Sequence, residues 1–260
     1  ACGVWEAVYI LDGLLKNKSA LQPDTIHADT QGQSEVVFGL AHLLGIQLMP
    51  RMRNWNKVAM YRPDKSVRYK YIGRWFTRIV NWELIIAHWQ ELMQVVLSIH
   101  TGKVLPSWLL QKLVADNPKN QLYQALRELG CVIRTIFLLE YASNAPLRAQ
   151  IQAATTKIEA YNLFSQWIFF GGDGLIRSRD PVEYAKRIKY KDLIANAIML
   201  HNVVDMTDVL HDMSQDGLPL TAEVVATFSP YINEHIKRFG EYVIDSSSVP
   251  PPLQPDKPFL

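Results

Sequence analysis

The chain has 260 residues, 48% of them hydrophobic, which is enough for one large buried core or two small ones. Its two cysteines, Cys2 and Cys131, exclude a disulfide framework and favour a reducing, cytosolic setting. The longest uncharged helical stretch, Leu193 to Val204, is too short to span a membrane, so we expect no membrane partner. The net charge of +2 includes two basic segments, residues 51–78 with +8 and residues 177–191 with +4, and clustered positive charge of this kind favours a polyanionic partner.

Two short strands are predicted near the start of the chain, which we expect to be a piece of a longer protein. The apolar run Val4–Leu11 barely alternates, as is typical of a strand buried on both faces, and Asp12-Gly13 predicts a turn after it. The second strand, Ile26–Ala28, ends in the acid Asp29, and Gly32 predicts another turn. Asp29 would therefore stand at the carboxyl end of a strand, where open α/β sheets bind their ligands, and an acid there suggests a bound cation.

A helix and a third strand follow at once. Ser34 can cap a helix that runs to Leu44, and Ile46–Met49 reads as the next strand. Strand, helix and strand so closely spaced predict a right-handed parallel crossover. Because parallel strands end at the same sheet edge, Arg51 and Arg53 would lie beside Asp29.

The larger basic segment also carries aromatic residues. Between its arginines and lysines stand Trp55, Tyr61, Tyr69, Tyr71 and Trp75. Such rings can stack on bases or on arginine planes, which would suit a nucleic-acid partner. From charge alone, a solvated linker with a few anchoring rings explains the segment equally well.

From residue 82 onward the periodicity predicts helices almost throughout. Apolar residues recur at helical spacing over three segments: Trp82–Ile99, Ser107–Ala115 and Gln121–Tyr141. We interpret these as a packed helical insertion. Asn144-Ala-Pro146 then predicts the start of a long helix that ends near Phe170.

The two faces of this long helix differ. The predicted apolar face carries Ile151, Ala154, Ile158, Tyr161 and Ile168. The predicted polar stripe carries Gln152, Thr155, Thr156, Glu159, Asn162 and Gln166. Glu159 is the only acid in that stripe, although spacing alone favours an ordinary solvated helix face.

Three other segments are weaker candidates for function. Phe169–Gly174 is glycine-rich but follows a helix, so it predicts a helix stop and turn and not a phosphate loop. His201 and Asp205 lie one helical turn apart, which favours a hydrogen-bonded pair over a metal site. Residues 246–260 are rich in proline and serine and predict a disordered tail.

Five motifs, taken in order, resemble those of the replicative transposases of the Tn-three family. They are Tyr9–Leu15 (YILDGLL), His27–Gly32 (HADTQG), Val37–Gly45 (VFGLAHLLG), Met49–Arg53 (MPRMR) and Lys157–Asn162 (KIEAYN). The likeness covers nearly the whole chain up to the proline-rich tail. It implies an RNase H-like catalytic domain of the acid-triad (DDE) class, with a helical insertion between the second Asp and the Glu.

The resemblance also implies the site residues. Asp29 matches the second acid and Glu159 the third, 130 residues apart. Both would be catalytic residues and ligands of two Mg²⁺ ions, with Mn²⁺ as a substitute. The family's first acid would lie upstream of Ala1, and Asp12 belongs to a different motif.

DNA would be the partner of a protein of this family. We expect transposon terminal inverted repeats and target DNA as substrates, a homodimer when full length, and a bacterial cytoplasmic, nucleoid-associated location. The residues expected to hold DNA are Arg51, Arg53, Lys57, Arg62, Lys157 and Asn162. Without the first acid, the chain alone would be inactive or nearly so.

The fold class implied is α/β, mostly α by residue count, with a partial RNase H-like sheet. The expected divisions are a partial RNase H-like core over 1–53, a basic linker and helical insertion over 54–145, the Glu-bearing and C-terminal helices over 146–245, and the tail over 246–260. Two alternatives remain: a nuclease of the same fold, or a non-catalytic helical nucleic-acid-binding protein, in which Asp29 and Glu159 would lie far apart.

Overall fold

Most of the described chain is helical, and its short strands all lie within the first eighty residues. The computed structural model describes residues 6–28, 30–55, 58–115, 120–172, 174–178, 180–241, 243 and 247. The chain divides into two compact units, residues 1–156 and 157–260.

The first unit begins as a mixture of helices and strands and continues as helices. Its elements are α1 (Glu6–Leu15), β1 (Thr25–Ala28), α2 (Glu35–Leu43), β2 (Gln47–Pro50), β3 (Met60–Arg62), β4 (Phe76–Ile79), α3 (Trp82–Ala87), α4 (Trp89–His100), α5 (Pro106–Ala115) and α6 (Gln121–Ser143). Next come α7 (Ala145–Ile168), α8 (Pro181–Gln215) and α9 (Ala222–Val225).

The strand predicted over Val4–Leu11 is wrong, because the described part of that segment forms α1. A short apolar run fits a buried helix as well as a buried strand, and the helix continues past residue 11 to Leu15. Leu11 is fully buried. The predicted Asp12-Gly13 turn is wrong as well, since both residues lie within the helix.

The buried Asp12 carboxylate holds the start of a second helix. It accepts hydrogen bonds from the backbone N–H of Ser107 (3.0 Å) and from the Ser107 hydroxyl. Ser107 lies in the first turn of α5, where backbone N–H groups have no partner within their own helix. The acid therefore caps a helix that is distant in sequence.

The predicted parallel crossover is confirmed. Strands β1 and β2 pair in parallel, with Ala28 opposite Pro50 at their carboxyl ends. Helix α2 joins them and begins after Ser34, although the Ser34 side chain makes no capping hydrogen bond. Gly45 follows α2 with φ of 73°, a left-handed conformation that suits glycine.

The residues after this crossover differ from expectation in two places. Strands β3 and β4, which were not predicted, form a second parallel pair. The single helix predicted over Trp82–Ile99 is two helices, since His88, with φ of −107°, ends α3 and precedes α4. The Asn81 side chain caps α3 by accepting from the Leu84 N–H at 3.1 Å.

Helix α7 starts as predicted. The Asn144 side chain accepts from the Leu147 N–H at 3.0 Å, and α7 ends at Ile168. The glycine-rich segment after it is the predicted stop and turn, since Gly174 has φ of 75° and its N–H donates to the Phe169 carbonyl.

Helix α8 is the main element of the second unit. Its Asn202 amide donates to the carbonyls of Pro230 and Ile232, both at 2.8 Å, and an apolar cavity of about 510 Å³ lies beside this contact. By length and composition, α8 is also the one described helix that could cross a membrane. The longest uncharged stretch within α8, Leu193 to Val204, is too short to predict a membrane-spanning helix. A single helix of this kind is weak evidence for a membrane segment.

Candidate active site

The end of β1 is the first part of the candidate site. Asp29 itself lies outside the described residues, so the site is built from its neighbours. The Arg51 N–H donates to the carbonyl of Ala28 at 2.8 Å, which places Arg51 directly beside the last residue of β1. The Arg51 side chain is half-buried, and Arg53, two residues on, is exposed. The predicted parallel strand before these arginines is confirmed, and their position beside Asp29 stays a prediction.

Gly32 closes the turn that follows β1. It belongs to a short 3-10 helix, Thr30–Gln33, packed over the ends of both strands. A Cβ atom on Gly32 would lie 2.7 Å from the Ala28 Cβ and 3.2 Å from the Pro50 Cβ. Glycine is therefore required here by the close approach of the chain to the sheet.

Side chains from distant segments hold this turn in place. The Gln33 amide donates to the Arg51 carbonyl at 3.0 Å. Arg134, on α6, donates to the Gln33 carbonyl at 3.2 Å and forms a 2.7 Å ion pair with Glu35. Both partners of the ion pair are largely buried, so its geometry ties the 3-10 helix and α2 to α6. Sequence reasoning missed Arg134, because no local pattern links residue 134 to residue 33.

Two glycines let α2 pack directly on α6. A Cβ atom on Gly39 would lie 2.6 Å from the Leu126 carbonyl oxygen, and one on Gly130 would lie 1.6 Å from the Glu35 carbonyl oxygen. Neither position can carry a side chain without moving a backbone. Helix α6 is thereby fixed against α2, the helix that follows the predicted metal ligand.

Most rings of the larger basic segment face inward. Trp55 stacks on Tyr141 at 5.9 Å and meets Trp75 edge-on at 6.3 Å, while Tyr69 contacts Phe76 at 4.3 Å. Tyr61, another of the five rings in this segment, is also buried. Tyr71 is the exception, 83% exposed with the Lys70 ammonium 5.2 Å from its ring centre. The interleaved rings are thus mainly anchors of the fold.

The predicted DNA-binding side chains differ in exposure. Arg62 is half-buried at the end of β3, and its Nε has no hydrogen-bond partner among the described residues. Arg53, Lys157 and Asn162 are exposed. Lys57 lies outside the described residues.

Glu159 lies on α7 with its side chain exposed. The predicted polar stripe around it is partly wrong, because Thr155 is buried and donates to the Ile151 carbonyl at 2.9 Å. Ile158, assigned to the apolar face, is 39% exposed. A threonine hydroxyl can be buried when a backbone carbonyl of the same helix accepts its hydrogen bond. The prediction of an exposed Thr155, which considered only its polarity, is therefore wrong.

Aromatic contacts of the second unit hold the α7 turns after Glu159. Tyr161 meets the Tyr231 ring edge-on at 5.7 Å, and the Lys191 ammonium lies 5.6 Å from the Tyr161 ring centre. Farther on, the Arg238 guanidinium lies 5.1 Å from the Trp167 ring centre and donates to the Trp167 carbonyl at 3.0 Å. The predicted meeting of Asp29 and Glu159 stays a prediction.

Among the described residues no cluster of three or more His, Cys, Asp or Glu side chains could hold a metal ion. His201 Nε2 and Asp205 Oδ2 lie 3.5 Å apart on the surface of α8, close together as predicted but farther apart than in an ordinary hydrogen bond. The carboxylate of Glu159 is a hard oxygen donor of the kind that Mg²⁺ prefers, so its chemistry fits a divalent cation.

These features define a mostly helical α/β protein in which a parallel crossover carries arginines at its carboxyl edge and a long helix exposes an acid. Residues 1–242 match the family model described as the Tn3 transposase DDE domain. The chain belongs to this family, whose domains are generally dependent on divalent metal ions.

The chain is similar to several transposases along almost its full length. It is 34% identical to the transposase for transposon Tn501 of Pseudomonas aeruginosa over 241 residues, which are 93% of this chain and 24% of that protein. It is 32% identical to the transposase for transposon Tn1546 of Enterococcus faecium, over 94% of this chain and 25% of that protein. With the transposase for transposon gamma-delta of Escherichia coli (strain K12) the identity is 29%, over 91% of this chain and 24% of that protein. The chain thus spans about a quarter of the length of these curated relatives.

Proposed function

We propose that this chain is a catalytic-domain portion of a DNA transposase that cuts 3′ ends at transposon termini and joins them to target DNA in replicative transposition. The observation that carries the proposal is the match of residues 1–242 to the transposase DDE domain. Strand cleavage by water and joining by the 3′ hydroxyl are both phosphoryl transfers at a DNA phosphate, so one site can serve both.

Asp29 and Glu159 are the proposed metal ligands and catalytic residues. Two bound Mg²⁺ ions, or Mn²⁺ in their place, would supply activation of the attacking oxygen and stabilisation of the leaving one. The position of Asp29 directly after β1 and the exposed carboxylate of Glu159 on α7 support this assignment. The first acid of the triad would come from residues upstream of Ala1.

The proposed DNA contacts are phosphate contacts, which position a duplex without reading its sequence. Arg51 and Arg53 would hold the backbone at the sheet edge. On α7, Asn162 would do so one turn after Glu159, and Lys157 would do so from another side of the helix. Lys57 and Arg62 belong to the same basic segment. The half-buried position of Arg62 makes it the weakest of these six candidates.

The remaining parts of the proposal concern the whole protein. Strands upstream of this chain would complete an RNase H-like core with residues 1–53, and residues 54–145 and 146–245 would be its insertion and C-terminal helices. The parallel pair β1–β2 supports such a core. Terminal inverted repeats and target DNA would be its substrates, bound by a homodimer at the bacterial nucleoid.

The test is a cleavage and strand-transfer assay with transposon-end DNA and Mg²⁺, on a version of the chain extended upstream to include the first acid. We expect Asp29→Asn and Glu159→Gln each to lower both activities by at least about 100-fold, because each removes a metal ligand. The control is Glu140→Gln, which changes an exposed acid on α6 and should leave both activities unchanged.

Three outcomes would contradict the proposal in different ways. Cleavage without joining would favour a nuclease of the same fold. Full activity of Glu159→Gln would remove that residue from the site. Strong Mg²⁺-dependent cleavage by the 260 residues alone would show that the first acid lies within them.

A further inference from the structure

The long helix α8 (Pro181–Gln215) packs on its own unit along one face only. Ala195, Asn202 and Leu210 are buried on that face. At 3.6 residues per turn, the opposite face carries Tyr190, Leu193, Ala197, Leu200 and Val204. Tyr190, Leu193 and Leu200 are 65%, 66% and 54% exposed. The five residues follow one another at alternating steps of three and four, the spacing of a coiled-coil seam.

Charge is separated along this helix. All its lysines and arginines lie between residues 186 and 191. From residue 193 onward its charged side chains at neutral pH are Asp205, Asp208 and Asp212, with no lysine or arginine. The basic half, residues 181–192, has four basic residues against Glu183 and Asp192 and a net charge of +2, whereas the acidic half, residues 193–215, has a net charge of −3.

We propose that the seam Tyr190–Val204 is a self-association surface on which α8 of a second copy of this chain packs antiparallel. An antiparallel arrangement sets the basic half of each helix against the acidic half of the other, whereas a parallel one would oppose like charges. The seam Tyr190–Val204 is about 21 Å long at 1.5 Å per residue, so we expect a small interface and a reversible dimer.

A membrane is a poorer partner for the same face. Asp205 and Asp208 lie on the exposed side of α8 within one turn of Val204, and burying them in hydrocarbon would be costly. The charged residues on either side of the seam are complementary to those of a second, antiparallel α8, whereas lipid tails offer them no opposite charge. This inference rests on the homodimer of the proposed function and names the surface that would form it. The surface requires neither the metal site nor DNA, so its failure would leave the proposed phosphoryl transfer untouched.

The first test is sedimentation equilibrium of the 260-residue chain over a range of concentrations. We expect a reversible dimer whose Kd rises at least about tenfold in Leu193→Asp, which places a charge in the seam. The control is Leu97→Asp on α4, since Leu97 is 64% exposed and lies outside the seam. It should leave the Kd unchanged.

The second test uses charge reversal, which keeps the seam intact. Arg187 and Asp208 lie 21 residues apart, three heptads, and so flank the same edge of the seam. Arg187→Glu and Asp208→Arg should each weaken the dimer, and the double variant should restore it, because an antiparallel pair brings the two positions together. Circular dichroism verifies that each variant remains folded.

Three results would overturn the proposal. They are a chain that stays monomeric at every concentration, a Kd that Leu193→Asp does not change, and a double charge variant no stronger than the single ones. Flotation with vesicles of phosphatidylcholine and phosphatidylglycerol is the remaining measurement. Binding to vesicles through Leu193 without dimer formation would assign the face to a membrane instead.

Discussion

Thr135 shows how one buried hydroxyl can join a strand to a helix. It donates to the Cys131 carbonyl at 2.7 Å within α6 and accepts from the Tyr61 N–H of β3 at 3.1 Å. The Tyr61 phenol accepts from Arg78 at 3.3 Å. Burial raises the pKa of Tyr61 to about 12 and the pKa of the Cys131 thiol to about 11. The groups of this cluster are therefore neutral at ordinary pH, apart from Arg78.

The raised pKa of Cys131 predicts slow alkylation. At pH 8 a thiol with a pKa of about 11 holds about 100-fold less thiolate than one at the ordinary value of 9.0, and thiolate is the reactive form. In a Cys2→Ser background, iodoacetamide should label Cys131 at least that much more slowly in native protein than in urea, as followed by mass spectrometry. The native rate should keep rising with pH beyond 9. Equal rates in the two states would contradict the buried position.

At the scale of elements, the contact between α2 and α6 holds α6 to the crossover. Phe38 of α2 and Phe137 of α6 bring their rings to 5.5 Å, and the glycines at 39 and 130 allow the backbones to approach. The Arg134–Glu35 ion pair adds a polar contact at the same junction. Because α2 directly follows the turn after Asp29, this junction supports the position of the candidate site.

Gly130→Ala tests that junction. The added methyl would overlap the Glu35 carbonyl, so we expect a loss of about 1–3 kcal/mol or more in the free energy of unfolding, measured by urea titration. The matched control is Gly13→Ala in α1, where a Cβ atom would meet nothing within 4 Å. Removing a helical glycine there should stabilise the chain by about 0.5–1 kcal/mol. A similar effect of both changes would argue against close packing of α2 on α6.

The local sequence pattern is sufficient to predict those helices and strands whose first and last residues are marked by capping or turn residues. Asn144 before an early proline predicts α7, and the closely spaced strands at 26 and 46 predict the crossover. These signals act within a few residues, so they can be read in order along the chain. The placement of Arg51 beside the end of β1 follows from the parallel pairing alone.

Features that depend on contacts distant in sequence were not predictable in this way. The run at residues 6–11 fits a helix or a strand equally well, and the contact that Asp12 of α1 makes with α5 is to Ser107, 95 positions further on. Thr155 is buried although its neighbours in the stripe are polar, and Trp55 packs on Tyr141 although it stands among arginines. In each case tertiary packing outweighs composition. The proposed partnership of Asp29 and Glu159 rests on motif resemblance and not on spacing, since no periodicity connects positions 130 apart.

At the scale of the whole molecule, charge is concentrated while the net charge stays near zero. The +8 of residues 51–78 is balanced elsewhere, including by the acidic half of α8. Most rings of this segment are packed inward, and half of its exposed residues in the described part are basic: Arg53, Lys65, Arg68, Lys70, Arg74 and Arg78. A surface of this kind suits phosphate contacts, which are independent of base sequence.

Electrostatic contact with phosphates predicts a specific salt dependence for DNA binding by the 260-residue chain. Each contact releases counterions, so the slope of log K against log salt should be steep and should fall by about 0.9 when one phosphate contact is removed. Arg53→Gln should therefore weaken binding to duplex DNA and reduce the slope, and Lys103→Gln, an exposed lysine outside the basic segments, should do neither. Fluorescence anisotropy at several salt concentrations measures both quantities. Terminal-repeat and unrelated duplexes should respond alike, because phosphates carry no sequence information. A loss confined to one sequence, with an unchanged slope, would mean that Arg53 reads bases and does not hold the backbone.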